Sequence, residues 1–271
     1  MTTVGTPIVI EANSVPSAWL KVFKWIKETS DSHKSPVIVS ITDFADENSI
    51  TCDCVQEIID TELGKHPNSA TCEDTAFTIF PNSFWNKDKS VEELFSFYER
   101  AYPRLKKLAQ KKCTAWGRGT YFCRLIAPQG ETSKNQLLHI INKWNAGNHN
   151  SMLLQASCYD PVQDQTNSRR LSFPCLQQIG FCAQKDEATN EYNLWINAFY
   201  PTQNIFTRGY GNYLGLCRLG QFMAHYMNGC RFSGINCFSG NPTISPLKKS
   251  AMPNIIEKIE DLIPNNEVAS L

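Results

Sequence analysis

The chain has 271 residues, which is enough for one large domain or two small ones with an ordinary hydrophobic core. Its 26 basic and 26 acidic residues balance to a formal net charge of zero, and charged residues make up only 19% of the total. This composition offers no broad positive surface for nucleic acid or an anionic membrane, and no apolar run is long enough to span a bilayer. We therefore expect neither nucleic acid nor a membrane as a partner.

The 11 cysteines are scattered along the chain and do not form an obvious framework. The opening letters MTTVGTPIVIEANS contain no basic segment followed by an apolar core, so we expect a reducing, cytoplasmic setting in which most thiols are buried small hydrophobes. Cys52 and Cys54 form a close pair, but no second Cys/His pair stands at ligand spacing. We therefore predict no metal site.

The first predicted elements are a helix and a strand. The segment NSVPSAWLKVFKWIKETSD has apolar residues at helical spacing, with Ser14 as a cap and Pro16 in the first turn. The next apolar run is β-branched, which predicts a strand from Val37 to Thr42.

A helical but interrupted pattern follows between Ile50 and Trp85. After it, KSVEELFSFYERAYPRLKKLAQKK predicts a long helix, because Ser90 and Glu93 have the spacing of a capping box. A kink is expected at Pro103, since proline removes a helical hydrogen bond.

The second half predicts more strands. SMLLQASCYD is strand-like, and CLQQIGFCAQ and EYNLWINAFY form a predicted hairpin around the turn-rich KDEATN. GNYLGLCRLGQFMAHYMNG then predicts a long helix with Leu216, Leu219, Met223 and Met227 facing inward and Gly229 as its C-cap. A short amphipathic helix closes the pattern. We find no repeat or linker, so a single α+β domain over the whole chain, residues 1–271, is predicted.

A proline–cysteine pair, Pro174 and Cys175, precedes the predicted hairpin, and Gly-Asn opens the long helix after it. The stretch SFPCLQQIGF…LWINAFYPTQNIFTRGYGNYLGLCRLGQFMAHYM resembles the catalytic half of the thymidylate synthase and pyrimidine hydroxymethylase superfamily. That family follows its Pro-Cys nucleophile with a hairpin, an Arg-Ser-x-Asp tetrad and an Asn eight residues after the Asp. Here Asn204 ends the corresponding tetrad, and Asn212 lies eight residues later. The resemblance is strongest from Ser168 to Asn228.

The resemblance implies a fold and an activity. The expected fold is a mixed, twisted β-sheet covered by helices, with the back of the sheet forming a homodimer interface. The implied activity is transfer of a one-carbon unit, as methyl or hydroxymethyl, from 5,10-methylenetetrahydrofolate to C5 of a pyrimidine or related heterocycle. In this scheme Cys175 is the nucleophile that adds to C6, Asn212 contacts the ring edge, and Glu73 is the candidate catalytic glutamate. The alternatives are a buried structural thiol for Cys175 and a helix N-cap for Asn212.

Several family residues are replaced. Pro201 stands where the family has its phosphate-binding arginine, and Ser151 and Met152 stand where it has an arginine pair from the partner subunit. Thr243 and Ser245 occupy the positions of the family's sugar-binding His-x-Tyr. The resemblance therefore implies a small-molecule substrate that is not an ordinary nucleoside monophosphate, as in specialised metabolism.

The remaining candidate substrate-binding residues follow from the same alignment. Gln203 and Asn204 lie in the altered tetrad, with Asn204 in place of a folate-contacting aspartate, and Trp116 replaces a tyrosine beside glycine. Arg169 and Arg170, just before Cys175, and Arg208, before Asn212, are candidates to supply the missing positive charge; solvated loop arginines are the simpler interpretation for the first two.

Two other functions stay open. The thiol of Cys175 could attack an amide, amidine or carbamoyl carbon without any folate, or the chain could be a non-catalytic relative in which this thiol is inert.

Overall fold

A computed structural model describes residues 6–29, 36–42, 50–67, 69–112, 119–165, 167 and 174–263. They form a mixed α+β structure with a twisted six-stranded sheet and packed helices. The strands are β1 (Ile8–Ala12), β2 (Val37–Thr42), β3 (Gln155–Ser157), β4 (Gln178–Lys185), β5 (Tyr192–Tyr200), β6 (Gln203–Asn204), β7 (Cys230–Ser239) and β8 (Pro242–Thr243). The helices are α1 (Val15–Glu28), α2 (Asp53–Leu63), α3 (Cys72–Ile79), α4 (Val91–Lys112), α5 (Tyr121–Ile126), α6 (Gln136–Asn145), α7 (Pro161–Asp164), α8 (Tyr210–Tyr226) and α9 (Met252–Glu260).

The large sheet has the strand order β1-β2-β7-β5-β4-β3. The pairs β1–β2 and β5–β7 are parallel, whereas β2–β7, β4–β5 and β3–β4 are antiparallel. The pairing of β5 with β7 shifts register between Leu194 and Trp195, where Ser233 is the additional residue on β7. β6 and β8 form a separate two-stranded parallel ladder beside the end of β5.

Most elements predicted from periodicity are confirmed. Ser14 caps α1, because its hydroxyl accepts a hydrogen bond from the backbone N–H of Ser17 at 3.3 Å. The strand from Val37 to Thr42, the hairpin of β4 and β5, and the C-terminal helix are all present. At the start of α4 the Ser90 hydroxyl accepts from the N–H of Glu93 at 3.4 Å, and the helix continues through Pro103.

One predicted helix cap was wrong, one predicted strand is shorter than expected, and one strand was not predicted. Gly229 is not the C-cap of α8, since the helix ends at Tyr226 with Met227 as the cap, and Gly229 lies two residues later with φ of 72°. The segment SMLLQASCYD contributes only the short strand Gln155–Ser157, preceded by a single 3-10 turn. The central strand β7 was missed because CRFSGINCFS mixes Gly, Ser and Asn into its apolar pattern.

The two faces of the large sheet differ. On β5, Ile196, Ala198 and Tyr200 alternate inward and are buried, whereas Asn197 and Phe199 point outward. Helices α1 and α8 pack on the buried face, against β1 and β2 and against β5 and β7 respectively. The opposite face carries Val9, Asn197, Phe199 and Phe238, and we call it the uncovered face. The Val9 side chain on this face is 61% exposed. No helix in the described ranges has the length and apolar character needed to cross a bilayer.

Candidate functional site

Cys175 lies just before β4, on the helix-covered side of the sheet. Its thiol is half-buried and packs against the core beside the fully buried Leu176. The next residue fixes this segment, because the N–H of Gln177 donates to the carbonyl of Phe199 at 3.0 Å and its own carbonyl accepts from Cys158 at 2.9 Å. The sequence predicted a thiol at the start of a strand, and this placement leaves it partly accessible.

Arg208 is the cation beside this thiol. Burial raises the pKa of Cys175 above its ordinary value, and the positive charge of Arg208 opposes that rise. Burial and the nearby Cys175 also raise the pKa of Tyr121, against the influence of the same guanidinium. Cys175, Tyr121 and Arg208 therefore share one neighbourhood, in which the thiol of the free protein is protonated at neutral pH.

The position of Arg208 is set by contacts on both sides of it. Its Nη1 donates to the hydroxyl of Thr75 on α3 at 3.1 Å. The residue lies in a single π turn, Ile205–Gly209, which leads directly into α8. The indole N–H of Trp19, in α1, donates to the carbonyl of Ile205 at 2.8 Å and holds the start of that turn. Local π geometry is frequent at functional sites because it re-aims side chains.

Asn204 is the cap of this turn, and Asn212 is not a cap. The Asn204 side-chain oxygen accepts from the N–H of Thr207 at 2.9 Å, and its amide nitrogen donates to the carbonyl of Ser245. Both amide atoms of Asn204 are thus engaged within the protein. Asn212 lies inside α8, is 3% exposed, and makes no side-chain hydrogen bond to any residue that the structure describes. The N-cap alternative for Asn212 is therefore wrong, and its burial needs another explanation.

Gln203 belongs to a group of buried polar residues that the sequence analysis did not predict. Its side chain is 1% exposed; the amide nitrogen donates to the thiol of Cys237 at 3.9 Å, and the amide oxygen is buried with no partner in the part of the chain that the structure describes. Within the same described part, Tyr200, Tyr213 and Ser239 also each bury a hydroxyl that has no hydrogen-bond partner. The alternation of β5 and β7 could have indicated this group, because it places Tyr200 and Ser239 on the helix-facing side of the sheet, where most residues are apolar.

In the part of the chain that the structure describes, Glu73 pairs with Arg218 and has no hydrogen bond or ion pair with Cys175. Its carboxylate oxygens lie 2.7 and 2.8 Å from Nη1 of Arg218, and the side chain is 48% exposed. Two residues later on the same helix, Thr75 contacts Arg208 instead. Met152 is 83% exposed.

Three predicted binding residues, Trp116, Arg169 and Arg170, lie outside the described residues.

A scan against protein-family models finds no match, and neither does a search of curated proteins.

Proposed function

We propose that the chain is a one-carbon transferase in which Cys175 adds to C6 of a pyrimidine or related heterocycle and a reduced folate supplies a methyl or hydroxymethyl group to C5. The observation that carries this proposal is the guanidinium of Arg208 beside a partly accessible thiol that lies directly before a strand. The resemblance assigns the nucleophile to that same thiol.

The chemistry that these residues would perform is nucleophilic catalysis. The thiolate of Cys175 forms a bond to C6, the ring double bond moves its electrons to C5 and the conjugated oxygen, and C5 becomes a carbon nucleophile. Arg208 stabilises the thiolate against the effect of burial. Asn212, with an amide that both donates and accepts, would bind the ring edge and thereby gain the partner that it lacks among the described residues.

Substrate charge is the next part of the proposal. Pro201, Ser151 and Met152 carry no charge, so a 5′-phosphate would lose the arginines that the family uses. Each charge-assisted contact contributes about 1.5 to 3 kcal/mol, and three of them amount to several powers of ten in affinity. We expect 2′-deoxyuridine and its 5′-monophosphate to bind with affinities within about tenfold of each other. Calorimetric titration showing tight, phosphate-dependent binding of the monophosphate would instead favour an ordinary synthase.

The test of catalysis is a covalent complex. Incubation with 5-fluoro-2′-deoxyuridine and methylenetetrahydrofolate should add the mass of both compounds to the parent, and peptide mapping should place the adduct on Cys175. Cys175→Ser should form none. Cys182→Ser is the matched control, because Cys182 is another half-buried thiol, located on β4. An unmodified parent would favour the non-catalytic relative.

A folate-independent enzyme with the same nucleophile is the second candidate. It is favoured by Asn204, which replaces the family's folate-contacting aspartate and has both amide atoms engaged by Thr207 and Ser245. Thermal unfolding with and without methylenetetrahydrofolate separates the two candidates, since a ligand that binds only the folded state raises Tm. No shift at a saturating concentration would favour amide, amidine or carbamoyl chemistry.

The uncovered face of the sheet is the surface we assign to a homodimer. Phe199, 41% exposed, stacks on Phe238 with ring centroids 5.4 Å apart, and Val9 is exposed on the edge strand. Light scattering at micromolar concentration should give twice the chain mass, and Phe199→Asp should reduce it to that of one chain. Leu108→Asp is the control, because Leu108 is 58% exposed but lies on α4.

A further inference from the structure

Four buried oxygens that have no hydrogen-bond partner among the described residues belong to side chains grouped around Cys237. They are the hydroxyls of Tyr200, Tyr213 and Ser239 and the amide oxygen of Gln203. Each of these four residues is at most 1% exposed. A buried oxygen without a hydrogen bond costs folding free energy, so native proteins keep only a few such atoms, and a group of four on neighbouring side chains requires an explanation.

The topology brings the four oxygens together. Tyr200 and Ser239 are direct partners in the pairing of β5 with β7, at its last position. Cys237 lies two residues earlier on the same side of β7, where Gln203 donates to its sulfur. Tyr213 approaches from α8, and Cys237 contributes to the raised pKa of both tyrosines. We call Tyr200, Gln203, Tyr213 and Ser239 the interior polar cluster.

This cluster adjoins the candidate nucleophile. The hydroxyl of Tyr200 lies near enough to Cys175 and Tyr121, as well as to Cys237, for all three to contribute to its pKa. A ligand bound at Cys175 would therefore lie next to Tyr200 and border the interior polar cluster.

We infer that the interior polar cluster is a subsite that receives an uncharged, hydrogen-bonding edge of the substrate, a cyclic amide or ureide with at least one N–H. Gln203 contributes an acceptor, whereas the hydroxyls of Tyr200, Tyr213 and Ser239 can donate or accept. None of the four side chains is ionised at neutral pH, so a buried charge would find no counter-charge among them. The inference rests on the proposed function only in that the reacting carbon lies at Cys175.

The experiment pairs two tyrosines of α8. Tyr213→Phe removes a hydroxyl that has no partner among the described residues, whereas Tyr210→Phe removes one that lies 2.8 Å from the hydroxyl of Thr51. Tyr213→Phe should therefore raise Tm of the free protein by about 2 °C, and Tyr210→Phe should lower it. Both replacements conserve the ring, so their opposite signs isolate the hydroxyl.

Binding is measured on the same variants with 2′-deoxyuridine and its N3-methyl derivative as probes. We expect the parent to bind 2′-deoxyuridine and to lose at least about tenfold in affinity for the N3-methyl compound, because a buried acceptor is left unpaired. Tyr213→Phe should weaken 2′-deoxyuridine binding by about fivefold or more while remaining the more stable protein. Ser239→Ala, which also removes an oxygen that no described residue contacts by a hydrogen bond, should behave in the same way.

Three outcomes overturn the inference. If Tyr213→Phe lowers Tm as Tyr210→Phe does, its hydroxyl is satisfied by internal water and has a structural role. If Tm rises but affinity is unchanged, the ligand does not reach the cluster, and if the parent binds neither probe the proposed ligand class is wrong. Failure of the proposed function is a different result: 2′-deoxyuridine binds in a manner sensitive to Tyr213→Phe, but no adduct forms on Cys175.

Discussion

Cys175 and Cys237 lie on the same side of one sheet, and both contribute to the raised pKa of Tyr200, yet their surroundings differ. Cys237 is fully buried on the central strand β7, and burial raises its pKa to about 12. Cys175 is half-buried at the start of β4; burial raises its pKa too, but the charge of Arg208 opposes the change.

The difference shows what separates the proposed nucleophile from a structural thiol on the same sheet. Both thiols are protonated at neutral pH in the free protein, so burial alone does not separate them. A nearby guanidinium and partial exposure do separate these two thiols, because Cys175 has both and Cys237 has neither. Cys123 is a further half-buried thiol, and the charges of Lys106 and Arg124 oppose the rise of its pKa by burial. Each prediction below tests one part of this contrast.

The largest effect is expected for loss of the proposed nucleophile. Cys175→Ser should lower turnover by at least about a thousandfold, because a serine hydroxyl is a much weaker nucleophile than a thiolate. The substitution is nearly isosteric and the site is partly exposed, so Tm should change by no more than about 2 °C. Turnover and Tm are measured together with Cys182→Ser, which should retain full activity. Equal activity of the two variants would remove the functional distinction of Cys175.

The second effect concerns the buried thiols and alkaline pH. Cys158 and Cys237 have pKa values raised to about 12, and burial also raises the pKa of Cys217. In the unfolded chain these thiols ionise near pH 8.5, whereas the folded chain keeps their protons. Their contribution to stability is therefore complete below pH 8.5 and is lost as pH rises toward 12, by about 1.4 kcal/mol per pH unit for each thiol.

Urea unfolding at pH 7, 8, 9 and 10 measures this dependence. Cys217→Ala should reduce the slope of the free energy of unfolding above pH 8.5 by about 1.4 kcal/mol per pH unit, since one buried thiol is absent. If the free energy of unfolding depends on pH with the same slope in the variant and the parent, Cys217 has the same pKa in the folded and unfolded chains.

Periodicity predicted the elements that bury one regular face. Helix α1, strand β2 and the hairpin were predictable because each follows a period of 3.6 or 2 with turn residues at its ends. Strand β7 escaped prediction because it lies at the centre of the sheet, and its stability comes from pairing with β2 and β5 rather than from local propensity.

The candidate site was predictable only in part. The motif placed Cys175 before a strand and Arg208 before a helix, and the structure brings them together through long-range packing that a single sequence does not specify. The interior polar cluster was not predicted, because Tyr200 and Ser239 become neighbours only through the parallel pairing of β5 with β7. Asn204 is predicted to contact a ligand, whereas its role as the cap of the π turn was not predicted, because that role depends on the local backbone geometry.

The smallest effect tests the charge that separates Cys175 from Cys237. Arg208→Ala should raise the pKa of Cys175 further, so alkylation by iodoacetamide at pH 7 should slow by about tenfold for each pKa unit that the guanidinium supplied. Arg208→Lys keeps a positive charge and should give an intermediate rate.

Arg231→Ala is the control, because Arg231 is bound to Asn193 and Asp186 at the exposed start of β7. Rates are read residue by residue by mass spectrometry from pH 6 to 9, a range in which Cys237 should stay unmodified. If Arg208→Ala leaves the Cys175 profile unchanged, charge does not distinguish the two thiols and accessibility alone accounts for the contrast.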